Sequence, residues 1–295
     1  MRFLTVTVVR DGDRNRIDLH THSNRSDGTD TPAELVTKAY GAGLSVLALT
    51  DHDTTAGWAE ADAAAVDVGI DLVHGIEISV EDGGQGHHLL AYEPDPDHRE
   101  LREMLVRSIE ERDLRIPALV EKIAVEVPGL HLEDVLAIAG NAVAGRPHVA
   151  EALVRCGAVP DRRAAFETYL VPGRPTYVET WSPPIEDAIR IVSRAGGATV
   201  IAHPWGRSSY VSAQRFGELK ATGLTGIEVD HQEHDAEARS ALRQIAQDLD
   251  LVVTGSSDYH GTRKQNHELG CNTTAADQYK RLASLWSSAE VTKPL

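Results

Sequence analysis

The sequence predicts an α/β chain, a barrel of alternating strands and helices with a helical block set into it. Three observations carry that prediction. Short apolar runs of strand length alternate with helical stretches, from position 17 to 92 and again from 184 to 285. Polar His/Asp/Glu clusters recur directly behind those runs, at Asp18-Leu19-His20-Thr21-His22, Thr50-Asp51-His52-Asp53, Gly75-Ile76-Glu77, His87-His88-Leu89, Ala202-His203-Pro204 and Ser257-Asp258-Tyr259-His260. From about 98 to 170, helix follows helix with no convincing strand. Functional residues gathered after parallel strands are what a barrel presents at its C-terminal face.

In order, Ile17 to His20 reads as a short buried strand ending in polar residues. Its two histidines, two apart, point to one side and can reach one ion. Thr31-Pro32-Ala33-Glu34 opens a helix, with Thr31 as cap, Pro32 at its first position and Glu34 closing a capping box. That helix ends at Gly41-Ala42-Gly43. Leu44 to Leu49 is apolar throughout, as expected of a strand covered on both faces. A helix from Thr55 to Val68 stops at Gly69, and Ile70 to Val80 contains the next strand. Gly83-Gly84-Gln85-Gly86 is a turn from which His87 to Tyr92 returns as a strand.

Glu93-Pro94-Asp95-Pro96-Asp97 breaks the pattern. Leu101, Leu105, Ile109, Leu114 and Ile116 mark a long helix with Pro117 as a candidate kink. Further helices span 132–139, 148–156 and 162–170. Alternation then resumes, with helices at 184–195, 213–221, 235–249 and 275–285, and strands at 198–202, 226–229 and 251–254. The expected division is a barrel from 1–95 with 175–295, and a helical insertion from 96–174.

Hydrophobic content of 41% places the chain among globular proteins, and 295 residues suffice for a substantial core. No apolar run is long enough to span a bilayer, and Phe3 to Val9 is too short and too rich in Thr for a secretory leader. The two cysteines, Cys156 and Cys271, lack CxxC partners and read as buried thiols of a reducing cytoplasm. A formal charge of −16 argues against duplex DNA as a partner, although divalent ions would reverse the local sign in one pocket.

A lone surface histidine is more often solvated than a ligand, and His74, His98 and His131 are read that way. His20, His22, His52, His203 and His260 each follow an apolar strand and should share one pocket, as should Glu77, which needs a partner if buried. Imidazole and carboxylate without thiolate suit Mn²⁺, Fe²⁺ or Zn²⁺ in a catalytic site.

These motifs, in this order, resemble the PHP (polymerase and histidinol phosphatase) phosphoesterases. The resemblance spans nearly all of the barrel. It implies an irregular seven-stranded β/α barrel with two or three divalent ions, Mn²⁺ favoured and Fe²⁺ or Zn²⁺ as alternatives. It implies one ion at His20, His22, Glu77 and Asp258, a second at Glu77, His88 and His203, and a third at Asp27, His52 and His260. Asp27 stands where some members have His. His88 is preferred to His87 as the ligand, since His-Leu-Leu-x-Tyr matches the family's strand.

Arg146-Pro147-His148 in the insertion looks like the Arg-Pro-His segment of the nucleoside 3′,5′-bisphosphate phosphatases, which are related to a 5′→3′ exoribonuclease. The implied activity is phosphomonoester hydrolysis, with Glu77, Arg146 and His148 as catalytic residues. Arg146, His148, Arg207 and His234 are the candidate substrate contacts. Trp205 and Tyr210 could stack a base but fit packing as well. The expected substrate is a nucleoside 3′,5′-bisphosphate, with short 5′-phosphorylated RNA a further candidate. Alternatives are a histidinol-phosphate phosphatase and a non-catalytic metal-binding module.

Overall fold

The computed structural model describes residues 16–140, 142–206 and 209–287. Phe3 to Val9 and Arg207 lie outside them. Seven strands form one sheet in sequence order: β1 (Ile17–Asp18), β2 (Val46–Leu49), β3 (Asp71–Asp82), β4 (Gln85–Tyr92), β5 (Ala198–Ile201), β6 (Gly226–Asp230) and β7 (Val252–Gly255). The ends meet through a bridge between Thr21 and Tyr259, with the His22 N–H donating to the Tyr259 carbonyl at 2.8 Å. The result is a nearly closed seven-stranded barrel.

One strand breaks the parallel order. β4 runs antiparallel to both β3 and β5, because the glycine turn at 83–84 sends it straight back. Its beginning therefore lies at the same mouth as the C-terminal ends of the other strands. The barrel interior is filled by Ile17, Leu19, Val46, Ala48, Val73, Leu90, Tyr92, Ala198, Val200 and Val252. The fully buried Tyr92 hydroxyl donates to the Leu19 carbonyl at 2.9 Å.

Around the barrel stand α1 (Pro32–Gly41), α2 (Trp58–Val68), α7 (Ile185–Arg194), α8 (Ala213–Thr222), α9 (Ala236–Asp248) and α10 (Ala276–Ser287), the numbers between them belonging to the insertion. The α1 capping box forms as expected, and Gly69 ends α2 in the left-handed region. α2 begins at Trp58, later than the expected Thr55, and has no side-chain cap. The outward faces of the strands pack on these helices through Leu47, Leu49, Ile76, Ile78, Leu89, Ile189 and Phe216.

The intervening helices are α3 (Arg99–Ala124), α4 (Leu132–Ala139), α5 (Arg146–Arg155) and α6 (Arg162–Ala165), the last running into a π-helical turn over Phe166–Leu170. α3 continues through Pro117. Its Leu101, Met104 and Leu105 join the core outside the barrel, whereas Ile116, Leu119, Val120 and Ile123 join a separate core with Val135, Val149, Leu153 and Leu170. One helix thus ties the insertion to the barrel.

Candidate active site

At the barrel mouth the Glu77 carboxylate is 1% exposed. Five imidazoles surround it. His20 Nε2, His22 Nε2 and His52 Nδ1 lie 3.2, 3.0 and 3.2 Å from Oε2, and His88 Nδ1 and His203 Nε2 lie 2.8 and 3.2 Å from Oε1. Asp258 Oδ1 stands 3.5 Å from both His20 Nε2 and His22 Nε2. Asp27 Oδ1 stands 3.2 Å from His260 Nε2, 3.7 Å from His22 Nδ1 and 3.8 Å from His52 Nε2. All nine residues expected as metal ligands therefore converge in one pocket.

Several backbone details aim these groups. Successive side chains of β4 alternate, so His88 faces inward with Leu90 and Tyr92. His87 faces outward, its Nδ1 2.7 Å from Ser209 Oγ. His203 and Asp258 hold φ of +30° and +52°, sparsely populated conformations that turn both side chains off their strand ends. Gly28 is required by close approach, since a Cβ there would stand 2.5 Å from the His22 carbonyl oxygen. Asp51 accepts from Ser23 N–H at 2.8 Å, Ser23 Oγ at 2.6 Å and Ser26 Oγ at 2.6 Å, which fixes the loop carrying His22 and Asp27.

The donor set fits divalent cations. His20 Nε2 and His22 Nε2 approach to 3.1 Å. The two oxygens of Glu77 offer about four lone-pair positions, yet five rings crowd them. His88 Nδ1, His52 Nδ1 and Asp27 Oδ1 are buried without a hydrogen-bond partner. Even the 2.8 Å approach of His88 to Glu77 is misaligned for a hydrogen bond. Lone pairs directed at shared points are what bound ions would satisfy. Among the described residues four overlapping groups have ligand atoms within 4.8 Å of one another: His22, Asp27, His52 and His260; His20, His22 and Asp258; His52, Glu77 and His88; and His231, Asp258 and His267. His22, His52 and Asp258 thus each border two groups.

Sequence reasoning missed the groups behind the ligands. Glu228, fully buried on β6, faces His20 Nδ1 at 3.1 Å and accepts from the His203 N–H at 2.8 Å and Ser256 Oγ at 2.8 Å. It fixes the His20 tautomer and leaves Nε2 free for an ion. Asp18 accepts from Ser257 N–H at 3.0 Å and Gly270 N–H at 2.9 Å, and burial pushes its carboxyl up to about 6. His231 accepts from Glu233 N–H at 3.1 Å, so its Nε2–H donates to Asp258 Oδ2 at 3.2 Å, where Lys264 also binds. Burial opposes protonation of His22, but Asp258, Glu77 and Asp27 outweigh it and raise the imidazole to about 9. Burial and then the Lys264 ammonium push His260 down to about 4.

On the insertion side, Arg146 opens α5 and donates to the Leu170 carbonyl at 3.3 Å. Burial and then its neighbours Arg115 and Arg112 lower it to about 10. Arg112 binds Asp53 and Ser79, behind His52. Arg115 keeps Nε and Nη2 buried without partners. His148 is buried against Arg263, with Nε2 2.8 Å from Nη1. His234 does not join this group. Its Nδ1–H donates to the Val229 carbonyl at 2.8 Å and its Nε2 accepts from Trp205 N–H at 3.3 Å, which leaves no ring nitrogen for a substrate.

A barrel mouth lined with imidazoles and carboxylates, beside a patch rich in guanidinium, defines a metal-dependent hydrolase of phosphate esters. Known proteins agree. The PHP domain family matches residues 18–157. A 3′,5′-nucleoside bisphosphate phosphatase from Chromobacterium violaceum is 35% identical over 260 residues, 86% of this chain and 90% of that protein. A 5′-3′ exoribonuclease from Haemophilus influenzae is 35% identical over 254 residues, 83% of this chain and 90% of that one. The crystal structure of a putative metal-dependent phosphoesterase from Bifidobacterium adolescentis superposes with a TM-score of 0.86 at 36% identity, covering 91% of this chain and 95% of that one. The chain belongs to the PHP family and is a metal-dependent phosphoesterase. No helix among the described residues is long and apolar enough to cross a membrane.

Proposed function

We infer that the chain hydrolyses phosphomonoesters of small nucleotides, with the 3′-phosphate of nucleoside 3′,5′-bisphosphates as its main target and short 5′-phosphorylated RNA as a second. The observation that carries this reading is the pairing of the Glu77 cluster with a guanidinium group, Arg112, Arg115 and Arg146, of which only Arg112 has a carboxylate partner among the described residues. Cationic side chains buried without counter-charge suit a substrate bearing a second phosphate. The nucleotide and RNA activities named for the two relatives support the same substrate class. The acidic whole, at −16, favours short substrates over long RNA, which gains affinity from basic tracks.

In this reading, His20, His22, Glu77 and Asp258 would hold one ion, Glu77, His88 and His203 a second, and Asp27, His52 and His260 a third. Mn²⁺ is the favoured ion. Bound there, the ions supply a Lewis acid and an acidified water near neutral pH. Glu228 keeps the His20 lone pair aimed inward, and the Asp258 backbone carbonyl does the same for His260. His148 and Arg146 contact the phosphate, and the Arg146 guanidinium neutralises charge on its equatorial oxygens. The segment from 96 to 174 serves as a substrate-binding insertion on the barrel.

The test is a panel with added Mn²⁺: adenosine 3′,5′-bisphosphate, AMP, histidinol phosphate and a short 5′-phosphorylated RNA, with the metal content of each preparation measured. The bisphosphate should give the highest kcat/KM and AMP should accumulate. Faster turnover of histidinol phosphate would overturn the substrate assignment. Fewer than two ions per chain together with no turnover would overturn catalysis itself.

A further inference from the structure

A neutral imidazole has one N–H and one lone pair, and a guanidinium has donors only. The His148 Nδ1 accepts the Gly145 backbone N–H at 2.9 Å, which closes the first turn of α5. Nε2 must then carry the proton. Arg263 Nη1 nevertheless sits 2.8 Å from that Nε2. Two N–H donors face each other where His148 is 1% exposed, and no acceptor lies between them. Moving the ring proton to Nδ1 only transfers the conflict to Gly145.

Arg263 cannot turn away at low cost. Its Nη1 donates to the Asp27 carbonyl at 2.8 Å and its Nη2 to the Ile138 carbonyl at 3.1 Å, while Arg162 Nη1 donates to the Arg263 carbonyl at 2.5 Å. Arg162 Nε is itself buried without a partner. The charges acting on His148 are those of Arg263, Arg162 and Arg112 against the single carboxylate of Asp27. An anionic oxygen seated off the line between the two nitrogens would accept from both and remove the conflict.

We propose that Arg263 and the His148 Nε2–H form a two-donor subsite for one anionic oxygen of a phosphate group, at the seam where the insertion meets the Asp27 loop. Arg263 thereby becomes a substrate-contacting residue contributed by the barrel, on the turn that follows His260. The proposal deepens the phosphoester reading above and rests on it for the substrate's chemistry.

The experiment titrates inorganic phosphate calorimetrically into the full chain loaded with Zn²⁺, for the wild type, Arg263→Lys and Arg263→Ala. Losing one charge-assisted donor pair should weaken binding about tenfold or more in Arg263→Ala. Arg263→Lys, which keeps charge but not the fork, should fall between. Long-range ¹H–¹⁵N spectra, assigned by comparison with His148→Gln, should show a protonated Nε2 whose resonance moves on phosphate addition. Phosphate affinities within twofold of wild type in both variants, or a proton resident on Nδ1, would overturn the subsite. If Arg263→Ala does not fold, the lysine variant and the spectra decide. Phosphate binding that depends on Arg263, in a chain that hydrolyses no phosphoester, would support the subsite and overturn the functional reading alone.

Discussion

At the scale of single residues, the chemistry depends on carboxylates that imidazoles surround. Glu77→Gln removes charge from a group facing five histidines. Changes to residues behind metal ligands cost about 10–100-fold in affinity or activity, so this direct change should exceed the upper figure. Glu228→Gln should fall within that range. Turnover and bound metal, measured together, check both, and a Glu77→Gln enzyme with near-normal turnover would refute the bridging role. Protonation gives a second prediction. In the metal-free chain His22 is raised from 6.5 to about 9 by its carboxylate neighbours. The stability this adds is full below about pH 6.5 and is lost as pH rises through 9. An ion needs that lone pair, and against its burial the His20 imidazole is likewise raised by Glu77, Glu228 and Asp258, so Zn²⁺ uptake at pH 8 should expel protons. Calorimetry in two buffers of different ionisation enthalpy measures it, and identical heats would refute it. The candidate ligands His20, His22, His52, Glu77, His203 and His260 were legible in the sequence because each follows an apolar run, whereas Asp27 and His88 were named only through the family resemblance. Glu228 was not legible, because within Gly226-Ile227-Glu228-Val229 a carboxylate reads as the solvent side of a half-exposed strand, and only barrel closure turns that side inward. Arg263 and Lys264 lie in a loop, where a charged side chain looks like any surface residue.

At the scale of elements, parity in one hairpin decides which imidazole reaches the site. The pairing Ser79↔His88 and Glu77↔Leu90 sets His88 inward and His87 against Ser209. A slip of one residue in register exchanges the two faces. Inserting a single glycine between Gly83 and Gly84 gives the hairpin a route to that slip. Inserting two lets the turn lengthen with both faces kept. The single insertion should lower bound metal and activity well below the double, which metal analysis of the two proteins would show. Equal metal content would refute the register argument. The elements themselves were legible where local signals agree, as in the α1 capping box and the Gly69 stop. They were less so where tertiary contacts decide. The strand expected from 17 to 20 closes after Asp18, because its neighbours at 20–22 turn into the pocket. The helix expected over 162–170 loosens into a π turn at Phe166.

At the scale of the whole molecule, a shared set of residues closes the barrel and would bind the ions. β1 and β7 are joined by the Thr21–Tyr259 bridge, the His22–Tyr259 hydrogen bond and the Ser257–Asp18 bond, and do not form a continuous ladder. A ligand at 100 times its dissociation constant stabilises a fold by about 2.7 kcal/mol. Chelation should therefore lower the melting temperature. Amide exchange should rise first at 20–22 and 256–260, ahead of the insertion core around Leu153. Uniform exchange across the barrel after chelation would refute this. A hoop buckled at the place where its chemistry happens uses one cation both as reagent and as fastener. Scarcity of that cation would then cost a cell the protein as well as the reaction.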